Sequence, residues 1–546
     1  MKENSMKKSV VLFLIFAACF AQEVGARYLI ITHDNFYDAV LPLAEWKHRK
    51  GLRTKVVKLS QIGSNASQIR TYIQNAYTTW QIRPEFLLLV GAPNYLPFGV
   101  VGYTHTDNYY TNMDGDIYNE ILSGRLTVHT TTEAQTVISK ILLYEKTPTI
   151  DASEWFINAC LIVREDYDPP DDSIYWSDIN HAKNLMRDHG YSVIDTFSRS
   201  TADNASDVIS AVNDGRAIVL YRGSGFNNWY TPFDVNPSQV QNDTRLPIVL
   251  SITCQTIGTG STPAVAEGWF LTGGPSQPRG AAGYFATTTS GSFIAHLRSA
   301  VCKGFFNALF QEGKTTFGQA CEGGRRNVYA LYGSSSEYRG YTTVGDPEMN
   351  IWTAIPESLV VSHDSVLSVD DDSLIVRVQY NAVTMESTLV CLVLDTTLYE
   401  YGYTSGNGEI HFYLDTLHSG TMDITATAPN RIPYCGSISV VPSHADETTQ
   451  QNKAFVSDIR VSPNPFSKLT QISFEVDSSK KSVASIKIYD TSGRLVKLWN
   501  NPTIQQSNQI VWDGTDDVGQ DLPSGIYFVH FSSETTTKTL PVVLLK

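Results

Sequence analysis

Two changes of rhythm along the chain predict an α/β region built on a parallel sheet, followed by two all-β sandwich modules. Over residues 27–353 short apolar runs alternate with helical stretches, the pattern of a parallel sheet covered on both faces. From residue 355 helical windows give way to alternation with a period of two, and a polar, Gln/Thr-rich linker at 443–455 divides the all-β part.

The elements follow in order. Lys7 and Lys8 precede an apolar run at 10–20 and small residues up to Ala26, which reads as a secretory signal peptide over 1–26. Residues 28–32 form a buried-strand run, and a helical pattern at 35–50 is stopped by Gly51. A strand at 54–58, a helix at 67–80 and a strand at 86–90 complete the first set. A second set has strands at 159–163, 192–196, 217–221 and 248–253, with helices at 179–189 and 205–213. Two sets imply either two sub-domains, 27–150 and 151–354, or one long sheet. Residues 355–442 have the length and alternation of an immunoglobulin-like sandwich, and 456–546 form a second all-β module.

Composition narrows the function. Net charge is −14, which excludes nucleic acid as a partner because phosphates require a basic face. No later segment approaches the roughly 20 apolar residues of a membrane span, so no transmembrane anchor is expected and the chain should be secreted or held at the cell surface. Seven cysteines, one within the leader, are too few for a disulfide scaffold of this length, although Cys391 and Cys435 could pair.

In open parallel sheets, functional residues gather beyond the carboxyl ends of the strands. Residues 217–221 run into Arg222, Gly223, Ser224 and Gly225, and residues 247–253 run into Cys254. A cysteine at a strand lip is exposed enough to react, and Gly223 and Gly225 allow a tight turn that presents N–H groups to an oxyanion. The alternative is that Cys254 is a small buried hydrophobe, the commoner fate of a free cysteine.

Several segments together resemble the catalytic region of the gingipain family of cysteine peptidases. They are residues 28–32 with Leu43, Ala44, Glu45 and Trp46; Asp107 to Tyr110; Asp114, Gly115 and Asp116; Gly124, Arg125 and Leu126; residues 140–145; and Gly345, Asp346 and Pro347. The resemblance implies a caspase-like fold and a cysteine endopeptidase cleaving after basic residues, Arg before Lys, through an acyl-enzyme at Cys254. Its substrates would be proteins or peptides, and no cofactor would be required for the chemistry. It places the general base in a Gly-His-Gly turn, where this chain has Gly223, Ser224 and Gly225. A serine hydroxyl cannot take a proton from a thiol near neutral pH, so the resemblance also admits an inactive pseudo-peptidase that binds peptides or partners. By the same resemblance Glu165 orients the base, Asp178 is the aspartate of an Arg-specificity pocket, and the backbone N–H groups of Gly225 and Cys254 form the oxyanion hole. Structural calcium on Asp107, Asp114 and Asp116 is a further expectation.

The last module resembles the C-terminal sorting domain read by type IX secretion machinery. The resemblance rests on Pro463, Asn464, Pro465 and Phe466, on Ser492, Gly493 and Arg494, on Trp512, Asp513 and Gly514, and on residues 524–528.

Overall fold

The computed structural model describes residues 22–148, 153–415, 417–443, 459–473, 484–490, 494–499, 509–517, 519–533 and 537–546. They fall into two compact units divided between Ser443 and His444. Most of the expected linker and of the signal peptide lies outside the described residues. Gln22 to Ala26, placed by the sequence in the leader, are part of the first unit. Gly25 bridges Ile82, Ala26 is fully buried, and Glu23 accepts from the Trp80 indole at 2.8 Å.

One ten-stranded sheet runs through the first unit, so the alternative of one long sheet is realised. Its strands are β1 (Tyr28–Thr32), β2 (Thr54–Lys58), β3 (Phe86–Val90), β4 (Leu122–Leu126), β5 (Asn158–Val163), β6 (Val193–Ser198), β7 (Ile218–Arg222), β8 (Ile248–Ile252), β9 (Gly283–Thr287) and β10 (Tyr341–Val344). Their order is β2-β1-β3-β4-β10-β9-β8-β7-β5-β6. All pairs are parallel except β9 with β10, which lies where the two βα sets meet. β1, β3, β5, β7, β8, β9 and β10 are buried along their whole length, which is why β1, β3, β5, β7 and β8 read as continuous, largely apolar runs rather than alternating ones.

The helices that matter here are α1 (Tyr37–Arg49), α2 (Thr131–Lys146), α3 (Pro169–Asp188), α4 (Ala295–Phe310) and α5 (Phe317–Tyr332). α3 begins ten residues before the expected 179, because Pro169 and Pro170 fit its first turn, where an N–H has no helical partner. α2 is opened by a capping box of Thr130 and Glu133.

Residues 357–441 form a four-stranded and a five-stranded sheet around a core that includes Leu374, Val376, Leu392, Ile424 and Ile438, with a further short pair of Glu357–Ser358 and Arg431–Ile432. This sandwich packs on the end of α1. Tyr399 donates to the His48 carbonyl at 3.0 Å, and Arg49 pairs with Asp423 at 2.8 Å. Cys391 and Cys435, whose pairing the sequence left open, are both free. Thr425 of the intervening strand is the register partner of each, so two strand spacings, roughly 9–10 Å, separate them.

The second unit, taken by itself, holds a three-stranded and a four-stranded sheet around Trp512, Tyr527, Val529 and Val542. Among the described residues no helix is long and apolar enough to cross a membrane.

Candidate active site

β7 and β8 are adjacent and parallel, with Ile252 in register with Arg222, so their exit segments leave the sheet side by side. β7 continues into Gly223, Ser224 and Gly225, and β8 into Thr253 and Cys254. Gly223 has φ +148°, and a Cβ there would lie 2.6 Å from the Arg164 carbonyl oxygen, so the turn requires glycine. Ser224, Gly225 and Cys254 all line one cleft of about 850 Å³. Cys254 is half-exposed, and this rules out the buried-hydrophobe reading. Its Sγ receives an N–H of Arg298 at 3.0 Å and lies 3.7 Å from the Gly291 carbonyl. Arg298, on α4, is nearly buried and is also held by Glu337 at 3.4 Å. A guanidinium on the sulfur stabilises negative charge there, which suits a nucleophilic thiol.

The acid that meets Ser224 is Asp166. The Ser224 hydroxyl donates to its Oδ2 at 2.6 Å, and the Tyr175 hydroxyl donates to the same oxygen at 3.1 Å. Arg164 pairs with the other carboxylate oxygen. Glu165, expected in this role, is turned the other way. Its carboxylate accepts from the Trp176 indole at 3.1 Å, the Arg199 amide at 2.9 Å and the Ser200 hydroxyl at 2.8 Å. The two acids are adjacent just past the end of β5, and their side chains go to different partners.

Asp178 does not face an open pocket. It is fully buried in α3 and bound by Arg222 Nε at 2.7 Å and by Ser299 Oγ at 2.5 Å. None of His105, His181, His189 and His296 is among the residues lining the cleft.

The expected calcium ligands are not brought together. Asp107 is committed to the buried Arg125, with oxygens at 2.6 and 3.1 Å from its nitrogens. Asp114 and Asp116 are exposed, and Asp116 caps the Tyr118 amide at 2.7 Å. Among the described residues, the acidic group with metal-like spacing is Glu145, Asp346 and Glu348, and there the Lys47 ammonium already touches all three.

Behind Cys254, the segment leading into the helix Val265–Leu271 is tied down by Glu267. Its carboxyl accepts from Ala264 N at 2.8 Å and from Gly258 N at 3.1 Å. Burial pushes this carboxyl up to about 7, against the downward pull of those amides. The folded state therefore holds the proton more tightly than the unfolded chain, and stability falls as pH rises from about 4.5 to 7. Glu267→Gln is expected to flatten that slope, raising stability at pH 8 by on the order of 3 kcal/mol relative to its effect at pH 4. Urea unfolding of both proteins at the two pH values checks this, and equal slopes refute it.

Residues 21–352 match the model of peptidase family C25, and residues 460–544 match that of a secretion-system C-terminal sorting domain. The sorting domain assigns the protein to the cell exterior or surface through type IX secretion. Gingipain R2 of Porphyromonas gingivalis is 22% identical over 542 residues, covering 96% of this chain and 68% of its own length. Gingipain R1 is 24% identical over 379 residues, 66% of this chain but only 37% of the relative. Lys-gingipain of the same organism is 21% identical over 457 residues, 76% of this chain and 25% of its own. The solved structure of the Arg-specific cysteine proteinase gingipain R superposes with a TM-score of 0.68 at 20% identity, covering 77% of this chain and 99% of that one, which establishes the caspase-like α/β fold. The chain belongs to peptidase family C25.

Proposed function

We propose that this chain is an exported member of the cysteine peptidase family C25 that binds peptide segments in the Cys254 cleft without turning them over. The observation that carries the reading is the contact between Ser224 and Asp166, a carboxylate holding a hydroxyl where the family resemblance places an imidazole. Cys254 and its Arg298 partner are present, while the group that would accept the thiol proton and later hand it to the leaving amine is missing. The sum is a formed cleft with an incomplete relay.

The unaltered chain and Cys254→Ala should be compared on a randomised blocked-decapeptide library, with cleavage read by mass spectrometry and binding by anisotropy of fluorescein-labelled library members. The expected result is saturable binding and no cleavage above the Cys254→Ala background. Cleavage that depends on Cys254 would overturn the reading. Absence of any binding would remove the peptide-binding role.

A further inference from the structure

The cleft holds a second feature that a peptidase base does not explain. Arg222, the last residue of β7, lines the cleft two residues before Ser224, yet it is only 1% exposed. Its guanidinium is met by acceptors from three different elements. Nε donates to Asp178 Oδ2 of α3 at 2.7 Å, Nη1 to the Ile252 carbonyl at the end of β8 at 2.7 Å, and Nη2 to the Ala295 carbonyl at the start of α4 at 3.2 Å. The Tyr175 ring faces its central carbon at 4.7 Å. A carboxylate, two carbonyls and an aromatic face make up a complete guanidinium site. Tyr175 and Ala295 line the same cleft as Cys254, so this site opens onto the candidate active site.

We infer that Arg222 is an internal occupant of a guanidinium pocket beside Cys254, and that it sets the specificity of the cleft by closing that pocket to basic side chains. The inference rests on the proposed peptide-binding role. With Arg222 in place the single carboxylate of the pocket is neutralised. An incoming Lys or Arg would find Asp178 already claimed by Arg222 and Asp166 by Arg164, and the other carboxylates lining the cleft, Asp168 and Asp171, are not among the groups that hold the Arg222 guanidinium. The Asp178 slot is therefore closed to a basic side chain of a bound peptide. Conversely, shortening Arg222 leaves Asp178 and both carbonyls facing an empty slot of guanidinium shape. Asp178 would still be held by Ser299 Oγ at 2.5 Å, with the Lys303 ammonium at 3.6 Å, so the fold has a partial substitute for the lost charge.

The test is calorimetric binding of Nα-acetyl-arginine methylamide and of its norleucine counterpart to the full chain, to Arg222→Ala and to Arg222→Ala/Asp178→Asn. In Arg222→Ala, affinity for the arginine probe should rise at least about tenfold over the unaltered chain, one charged pairing regained. The norleucine probe should change little, and the added Asp178→Asn should abolish the gain. A folded Arg222→Ala with no gain would overturn the inference. If that variant fails to fold, Arg222→Met retains the apolar stem and is expected to leave arginine binding weak. The unaltered chain then decides, since arginine bound as tightly as norleucine would also overturn the inference. Because binding needs no turnover, a chain that proves to cleave peptides would refute the proposed inactivity and leave this readout intact.

Discussion

Ser224→His is expected to convert the cleft into a working peptidase, raising the Cys254-dependent rate by about 10² to 10⁴ over the unaltered chain. The machinery it would join is in place. Asp166 accepts from the Ser224 hydroxyl at 2.6 Å and is itself steadied by Tyr175 and Arg164, so it can fix the tautomer and tilt of an imidazole at this position. Cys254 shares the cleft and carries a guanidinium on its sulfur. The imidazole would take the thiol proton during attack on the peptide carbonyl and return it to the departing amine. The substrates should be chosen with Arg222 in mind. Turnover in Ser224→His is expected on fluorogenic peptides with an uncharged residue before the scissile bond, and on arginine peptides only when Arg222→Ala is added. The assay is release of the fluorophore against Ser224→His/Cys254→Ala as blank. No gain on any peptide, with the variant folded, would show that more than the base is missing.

What the sequence showed of this site, and what it hid, follows from how far each property reaches along the chain. Cys254 and Ser224 were legible because each ends a strand whose five buried residues announce themselves as an apolar run, and parallel neighbours put their exits together. The choice between Glu165 and Asp166 was not legible. It turns on which partners two adjacent side chains reach just past the end of β5. The occupant of Asp178 was hidden for another reason. Arg222 lies 44 residues from Asp178 and finds its other acceptors on β8 and α4, a convergence that only the sheet order creates. The expected calcium set failed similarly. Acidic spacing in a loop is local information, whereas the partner that claims Asp107 is Arg125 on a neighbouring strand. The single long sheet was left open by the sequence because its central antiparallel pair joins β9 to a strand more than fifty residues later.

The same long-range convergence makes Lys47 the residue whose loss should damage the first unit most. Two of the segments that carried the family resemblance, residues 140–145 and 345–347, meet here against α1. The fully buried Lys47 ammonium lies 2.6 Å from Glu145, 2.5 Å from Asp346 and 2.6 Å from Glu348. Lys50 pairs with Glu145 and Glu348, and the Tyr28 hydroxyl donates to Asp346 at 2.7 Å. Burial opposes the charge on Glu145, but the two lysines outweigh it and hold that carboxyl down to about 2. For Glu348 burial wins and its carboxyl is pushed up. Lys47→Met keeps most of the stem volume and removes the one cation that touches all three acids, leaving Glu145 and Glu348 on Lys50 alone. The expected loss is about 3–5 kcal/mol at neutral pH, a large fraction of a typical domain's stability. The pH dependence provides the sharper test. Deprived of Lys47, buried carboxyls in the folded state hold protons more tightly than in the unfolded chain, so stability in the variant should fall as pH rises from 5 to 8. Urea unfolding followed by near-ultraviolet circular dichroism at both pH values measures the difference between variant and unaltered chain. A loss that is the same at pH 5 and pH 8 would mean that Lys47 contributes packing rather than charge, and that the three acids are neutralised by Lys50 and by each other's protons.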